Sequence, residues 1–496
     1  MTNNAIAWAQ FQLRGGLRNT LIFCGVYAAA VIGAYAFLHS ADPRNAGWPA
    51  GWINLLLGIQ SFGLLVFGSS RVGAAIRGDV ASRMIESHRL MSTPAPHAVA
   101  GYMIGGGSQA LFAFVTTFSI GAVISATAGL ATDRWILSNG ILLVFAVFIW
   151  SIVALLSFVT SKGLLGLGWM IGLFALVSIS RGLVTIFVPA LTILCSPIMG
   201  GSIFIAPGGG SAPSLGYGAS LVGQGIIGTL FFFAAARRYR SAESTGFTPL
   251  MALALVAAWV ALSVFAMKKW EAIQPAIFRA ADFDRDLLPI QTIVTTAVTM
   301  LLALLPLAVS SRAHRQWKRH RALNDPGLGR RPIHPALAVV LCAAMCLAIG
   351  FFVPSKLLFL QRAGFWVYTA GITQQPAALI LTGATLLAYF FSCSYLFRII
   401  HRSASGRGGA VIAGIFTLLI WLGPLVIEAI SNAMRDDTRD FVWSHVAGWS
   451  PLGALILIWG RIGVDAAPGV AGQLTVAAAL ALLFYLTDRR RRADVI

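Results

Sequence analysis

Long apolar runs separated by short polar segments set the pattern of this chain. Twelve such runs lie near 20–39, 52–69, 99–128, 135–160, 164–194 and 217–236, then near 249–267, 288–310, 335–353, 377–397, 410–430 and 470–487. Each is close to the roughly 20 residues an α-helix needs to cross a bilayer. The pattern predicts an all-α, polytopic transmembrane bundle of about 12 spans. They fall into two six-helix halves, 1–240 and 247–496. The 164–194 run contains Pro189 and is long enough to tilt or kink.

Shorter patterns fill the spaces. Residues 5–18 predict an interfacial helix, with Trp8, Phe11 and Leu17 resting in lipid and Arg14 and Arg18 at the headgroups. The first apolar run is too long for the core of a cleavable signal peptide, so it is expected to remain as a span. A Ser-Pro pair precedes the last span of each half, Ser196-Pro197 and Ser450-Pro451. Each pair is followed by an apolar piece too short to span, 198–206 and 452–460. Such pieces fit short re-entrant or interfacial helices. Each half closes on a cluster of arginines, at Arg237–Arg240 and Arg489–Arg492. Each half also has its most basic loop between its second and third spans, 71–97 and 312–334. The shared order predicts an internal duplication with both halves in parallel orientation.

Charge then orients the spans. If sides alternate from an inside N-terminus, the inner segments hold 24 of the 36 Lys and Arg but only 6 of the 17 Asp and Glu. Lys/Arg bias in short loops sets orientation, so both termini are expected in the cytoplasm of a plasma-membrane (cell inner membrane) protein. A pI near 10.7 could also suggest nucleic acid. A basic groove needs a soluble surface, however, and a chain that is 57% hydrophobic and 11% charged has little. The lipid bilayer is the expected partner, and no nucleic acid.

The loop of the first half carries the strongest functional signal. Residues 74–91 predict one amphipathic helix. Ala75, Ile76, Val80, Met84 and Leu90 or Met91 lie on one face, and Arg77, Asp79, Arg83, Glu86 and Arg89 lie elsewhere. Thr93-Pro94 and Pro96 end it before the third span. A helix of this kind can rest on the membrane surface, or give a soluble partner something to push on.

From Arg77 to Pro94 the sequence resembles the loop between the second and third helices of ABC-2-type transporter permeases. Asp79, Arg83, Glu86, Leu90 and Thr93-Pro94 stand in comparable places. Arg83-Met-Ile-Glu-Ser-His-Arg89 replaces the family's frequent Glu-x-x-Gly-Thr-Leu-Glu core. The Ser-Pro pair and short outer helix before the sixth span are similar to the family's layout as well. The second-half loop is basic, with Arg315, Lys318 and Arg319, but lacks acidic partners and the Thr-Pro.

The resemblance implies six-helix units that pair side by side and are driven by separate cytoplasmic ATPases, two copies being expected. ATP would bind on that partner. This chain contains no Gly-x-x-x-x-Gly-Lys-Ser/Thr phosphate loop, so no catalytic residue and no cofactor is expected in it. Arg77, Asp79, Arg83, Glu86, Arg89, Arg315, Lys318 and Arg319 would then couple the spans to the ATPases.

Two ionisable residues fall within apolar runs, Arg181 and Glu428, each in the fifth span of its half. Such charges face protein or water, or snorkel to an interface. No metal site is expected. Asp282, Asp284 and Asp286 lie beside Arg279 and Arg285, and Cys342 and Cys346 lack His or acidic neighbours. The expected function is the permease subunit of an ATP-driven exporter. The alternatives are a twelve-helix secondary transporter of the major facilitator type and a membrane-embedded enzyme acting on lipid-linked substrates.

Overall fold

The computed structural model describes residues 4–41, 48–159, 194, 214–241, 246–268, 358–360, 365–368, 445–460 and 466–493, with single helical positions between 381 and 427. The chain divides near Phe247 into two compact units. The described residues are helical apart from one short ladder. Among the described residues six helices are long and apolar enough to cross a membrane: Gly16–Phe37, Trp48–Ala81, Ser108–Thr127, Thr132–Val159, Gly218–Arg240 and Ala467–Leu486. The chain is a polytopic membrane protein.

The first unit opens with α1 (Ala5–Leu13) and α2 (Gly16–Ala41). The expected helix over 5–18 stops at Leu13 because Gly15 and Gly16 take left-handed backbone, with φ of 96° and 61°. The helix does not rest on lipid through Phe11. Ile6, Ala7, Gln10 and Phe11 are buried, and Phe11 stacks on Phe112 at 6.0 Å. Trp8 and Leu17 do point outward. The close packing is made possible by Gly101 and Gly105. A Cβ at Gly105 would stand 2.5 Å from the Ala7 carbonyl oxygen. Asn4 caps α1 by accepting from the Ala7 amide at 3.0 Å, and its Nδ2 donates to the His97 carbonyl at 2.6 Å.

The second span is longer than its apolar run. It comprises α3 (Trp48–Ser61), a π-helical stretch (Phe62–Gly68) and α4 (Ser69–Ala81). The short α5 (Met84–Leu90) follows. The expected 99–128 span divides at Gly107 into α6 (Ala95–Gly106) and α7 (Ser108–Thr127). Next come α8 (Thr132–Val159) and α9 (Ser214–Arg240).

Helix α8 is the centre of this unit. Trp150 lies against Gly68 and Gly107, where added Cβ atoms would stand 2.5 and 2.6 Å from its ring. Its Nε1 donates to the Leu64 carbonyl at 2.9 Å, inside the π-helical stretch. Trp135 makes the same kind of bond to the Phe118 carbonyl at 3.0 Å. Helices α8 and α9 run parallel, since Gly228 approaches Phe148 and Tyr239 meets Phe158.

In the second unit, α10 (Pro249–Lys268) is a well-formed helix, and β1 (Leu358–Leu360) pairs antiparallel with β2 (Phe365–Tyr368). The sequence pattern did not lead us to expect this ladder. The short apolar piece after Ser450-Pro451 is helix α11 (Pro451–Gly460), and α12 (Ala467–Ala493) is the last span. Ser450 caps α11 by accepting from the Gly453 amide at 3.3 Å. Gln473 Nε2 donates to the Gly448 carbonyl at 2.7 Å, tying α12 to the turn before α11.

Candidate functional site

Helix α4 carries the second span straight into the basic loop. Its last turn ends at Ser82, whose amide donates to the Gly78 carbonyl. Arg83 then takes left-handed backbone, φ 60° and ψ 10°, with no glycine to ease it. Such a conformation is uncommon for a residue with a Cβ and persists where the surroundings hold it. The expected single helix over 74–91 is therefore two helices with a corner at Ser82-Arg83. Pro94, in extended backbone, starts α6.

The corner rearranges the apolar face. Ala75 and Ile76 are buried as the pattern suggests, but Met84, Leu90 and Met91 are exposed, Leu90 by 89%. Ile85 and His88 face inward in their place. A continuous helix would keep these positions on one stripe, and the left-handed residue turns α5 so that its other side meets the bundle.

Asp79 is the hub of the inward side. Tyr102 Oη donates to Asp79 Oδ2 at 2.7 Å and Gln10 Nε2 donates to the same oxygen at 3.2 Å. His88 Nδ1 lies 3.5 Å from that oxygen and 2.9 Å from Tyr102 Oη. Helices α1, α4, α5 and α6 thus converge on one carboxylate oxygen. Beneath it Tyr102, Phe158 and Tyr239 pack edge to face, with centroids 6.0–6.3 Å apart.

Arg89 serves a different element. Its Nε donates to the Tyr239 carbonyl and its Nη2 to the Arg238 carbonyl at 3.3 Å. A cation on the last carbonyls of α9 satisfies groups the helix leaves unpaired and complements the helix dipole. The same end of the unit holds Arg14, whose Nη2 donates to the Arg71 carbonyl at 2.9 Å. Burial, and then the charge of Arg71, lower the Arg14 guanidinium to about 10. It stays charged at neutral pH.

The residues read from the loop therefore separate into two groups. Asp79 and Arg89 hold α5 to the bundle, and Arg77 is half-buried on α4. Arg83 and Glu86 are exposed on the outer side of the corner, beside Met84 and Leu90. Gln10, His88 and Tyr102 belong to the site and were not singled out by sequence. The one signal that could have found them is a set of polar residues at the edges of apolar runs. Arg315, Lys318, Arg319, Arg181 and Glu428 lie outside the described residues. Among the described residues no group of His, Cys, Asp and Glu is placed to hold a metal ion.

Comparison with known protein families, with curated proteins and with solved structures returned no match.

Proposed function

We propose that the chain is the permease subunit of an ATP-driven exporter of the ABC-2 type. Its 12 spans form two six-helix halves in the plasma membrane, with both termini cytoplasmic, and separate ATPase subunits supply the energy. Two ATPases docking beneath the two basic loops would move α5 and its counterpart. The parallel run of α8 and α9 supports this layout, because six alternating spans require one further crossing between them, where the sequence has its 164–194 run.

The observation that carries this reading is the two-sided build of α5. Its inner side is fixed to α1, α4, α6 and α9 through Asp79, Tyr102, His88 and Arg89. Its outer side offers Arg83, Glu86, Met84 and Leu90. A force applied to the outer side reaches four helices through short bonds. A helix that served only to rest on lipid would need no such attachment to the end of α9.

The test is affinity purification of the chain in mild detergent. An ATPase subunit should co-purify, and the double change Arg83→Glu with Glu86→Lys should weaken its capture about tenfold, since charge reversal at an interface costs affinity and steering. Thermal stability should hold, because both side chains are exposed. Changes at Asp79 or Arg89 disturb internal contacts and report on folding instead. Absence of any ATPase, or unchanged capture by the double variant, would overturn the reading and favour a secondary transporter.

A further inference from the structure

The first unit also contains a cavity at mid-height, away from the basic end. It occupies about 410 Å³ between α6, α7, α8 and α9, within the roughly 300–1,000 Å³ usual for small-molecule sites. Its wall is apolar, built from Met103, Ile104, Leu111, Val144, Phe148 and Phe232. Gly225, with nothing within 4 Å of where a Cβ would stand, keeps the α9 side open. Ile104 and Val147 are exposed where the cavity meets the flank of the unit, the side that acyl chains cover once the helices stand in a bilayer.

Three polar side chains, Ser151, Gln224 and Thr229, also line the cavity, and Gln224 is the one with a buried atom left unpaired. Gln224 is buried, with 1% of its surface exposed. Its Nε2 donates to the Leu194 carbonyl at 2.6 Å and to Ser220 Oγ at 3.0 Å. Its Oε1 is buried without a hydrogen-bond partner. Turning the amide over would set Oε1 against the Leu194 carbonyl, so the hydrogen bonds assign the free atom as an acceptor. A buried acceptor with nothing to accept from is costly, and such groups are uncommon in native proteins.

We propose that the cavity binds a single-chain amphiphile drawn sideways from the bilayer, with its tail among the apolar side chains and one hydroxyl or amide N–H donated to Gln224 Oε1. The volume, the apolar wall and the flank opening call for a chain-like hydrocarbon. The unpaired oxygen calls for one donor, and no cationic side chain lines the cavity to select an anionic headgroup. A lone water could satisfy the acceptor but would leave the apolar volume unfilled. The inference needs only the first unit in a membrane and stands apart from whether an ATPase docks at the basic end.

The test uses the full chain in phosphatidylcholine nanodiscs with two photoreactive probes, a diazirine-bearing hexadecanol and its methyl ether. The alcohol can donate a hydrogen bond and the ether cannot. Peptides spanning 144–151 and 224–232 should be labelled about five- to tenfold more by the alcohol, the factor expected for one neutral hydrogen bond in a dry site. Gln224→Leu should bring the alcohol down to the level of the ether. Ile104→Trp, which leaves Gln224 in place and fills the mouth, should reduce labelling by both probes. Equal labelling by the two probes in the native chain would overturn the proposal. So would an alcohol preference that survives Gln224→Leu, or full labelling of Ile104→Trp, each of which means partition into the bilayer alone.

Discussion

Helices α2 and α8 have the same kind of sequence and opposite lives. Both are apolar spans of full length, yet 72% of the most apolar stretch of α8 is buried within the protein against 11% for α2. The difference lies less in the helices themselves than in what their neighbours present. Opposite α8 stand Gly68, Gly107 and Gly121, which admit the rings of Trp150 and Trp135 to the backbones of the adjoining helices. Within the α2 span, Gly25 and Gly33 face nothing within 4 Å, and Leu21, Ile22, Phe23 and Val26 point outward. Among the described residues its side-chain ties include Tyr27 Oη with Thr117 Oγ1 at 2.9 Å and Tyr35 against Trp52. In lipid a hydrocarbon side chain gains little by leaving the solvent, so close packing at small residues decides which spans become central.

The strongest way to break this contrast is to fill the space beside Trp150. Gly68→Leu should cost about 2–3 kcal/mol of stability, because the ring and a backbone on either side have no room to yield. Gly33→Leu should stay within about 0.5 kcal/mol. Thermal unfolding in detergent compares the two, and similar losses would mean that α8 is no more tightly held than α2.

Trp150→Phe sharpens the point at the π-helical stretch. It keeps an aromatic ring and removes the donor to the Leu64 carbonyl. A loss of about 1–2 kcal/mol in a denaturant titration is expected, the cost of leaving a buried carbonyl without its partner. A variant as stable as the parent would show that the ring matters and the hydrogen bond does not.

Tyr27→Phe should give the smallest change, about 0.6 kcal/mol, the usual worth of one interhelical hydrogen bond in a membrane. A loss several times larger, measured the same way, would make α2 part of the core rather than its cover.

The basic loop shows where reading a sequence runs out. Its boundaries were legible, because Pro94 and Pro96 cannot sit inside a continuing helix and the charges mark the end of the apolar run. The interior was not. Arg83 in left-handed backbone has no sequence signal, since glycine or asparagine is the usual occupant. Periodicity therefore predicted one helix and assigned Met84 and Leu90 to the wrong side. Asp79 and Arg89 read as charges off the apolar face, placed to meet a cytoplasmic partner, yet their partners lie at Gln10, Tyr102 and the end of α9, up to 150 residues away. Spacing along one helix cannot register a contact of that range. The Ser450-Pro451 helix was legible for the opposite reason, since its cap and its length are both local.

By itself the sequence determined that this is a helical membrane protein and where most of its described spans begin and end. These follow from the length and polarity of short segments, which the bilayer judges one segment at a time. Only the tertiary structure decided that α8 is central and α2 peripheral, that α1 turns Phe11 inward against the bundle, and that Asp79 and Arg89 bind inward while Arg83 and Glu86 face out. It also decided that Gln224 keeps one acceptor unpaired at the edge of a cavity. Each of these depends on which surfaces meet across the bundle, through close approach at glycines and hydrogen bonds between distant residues, and the pattern along a single chain does not contain it.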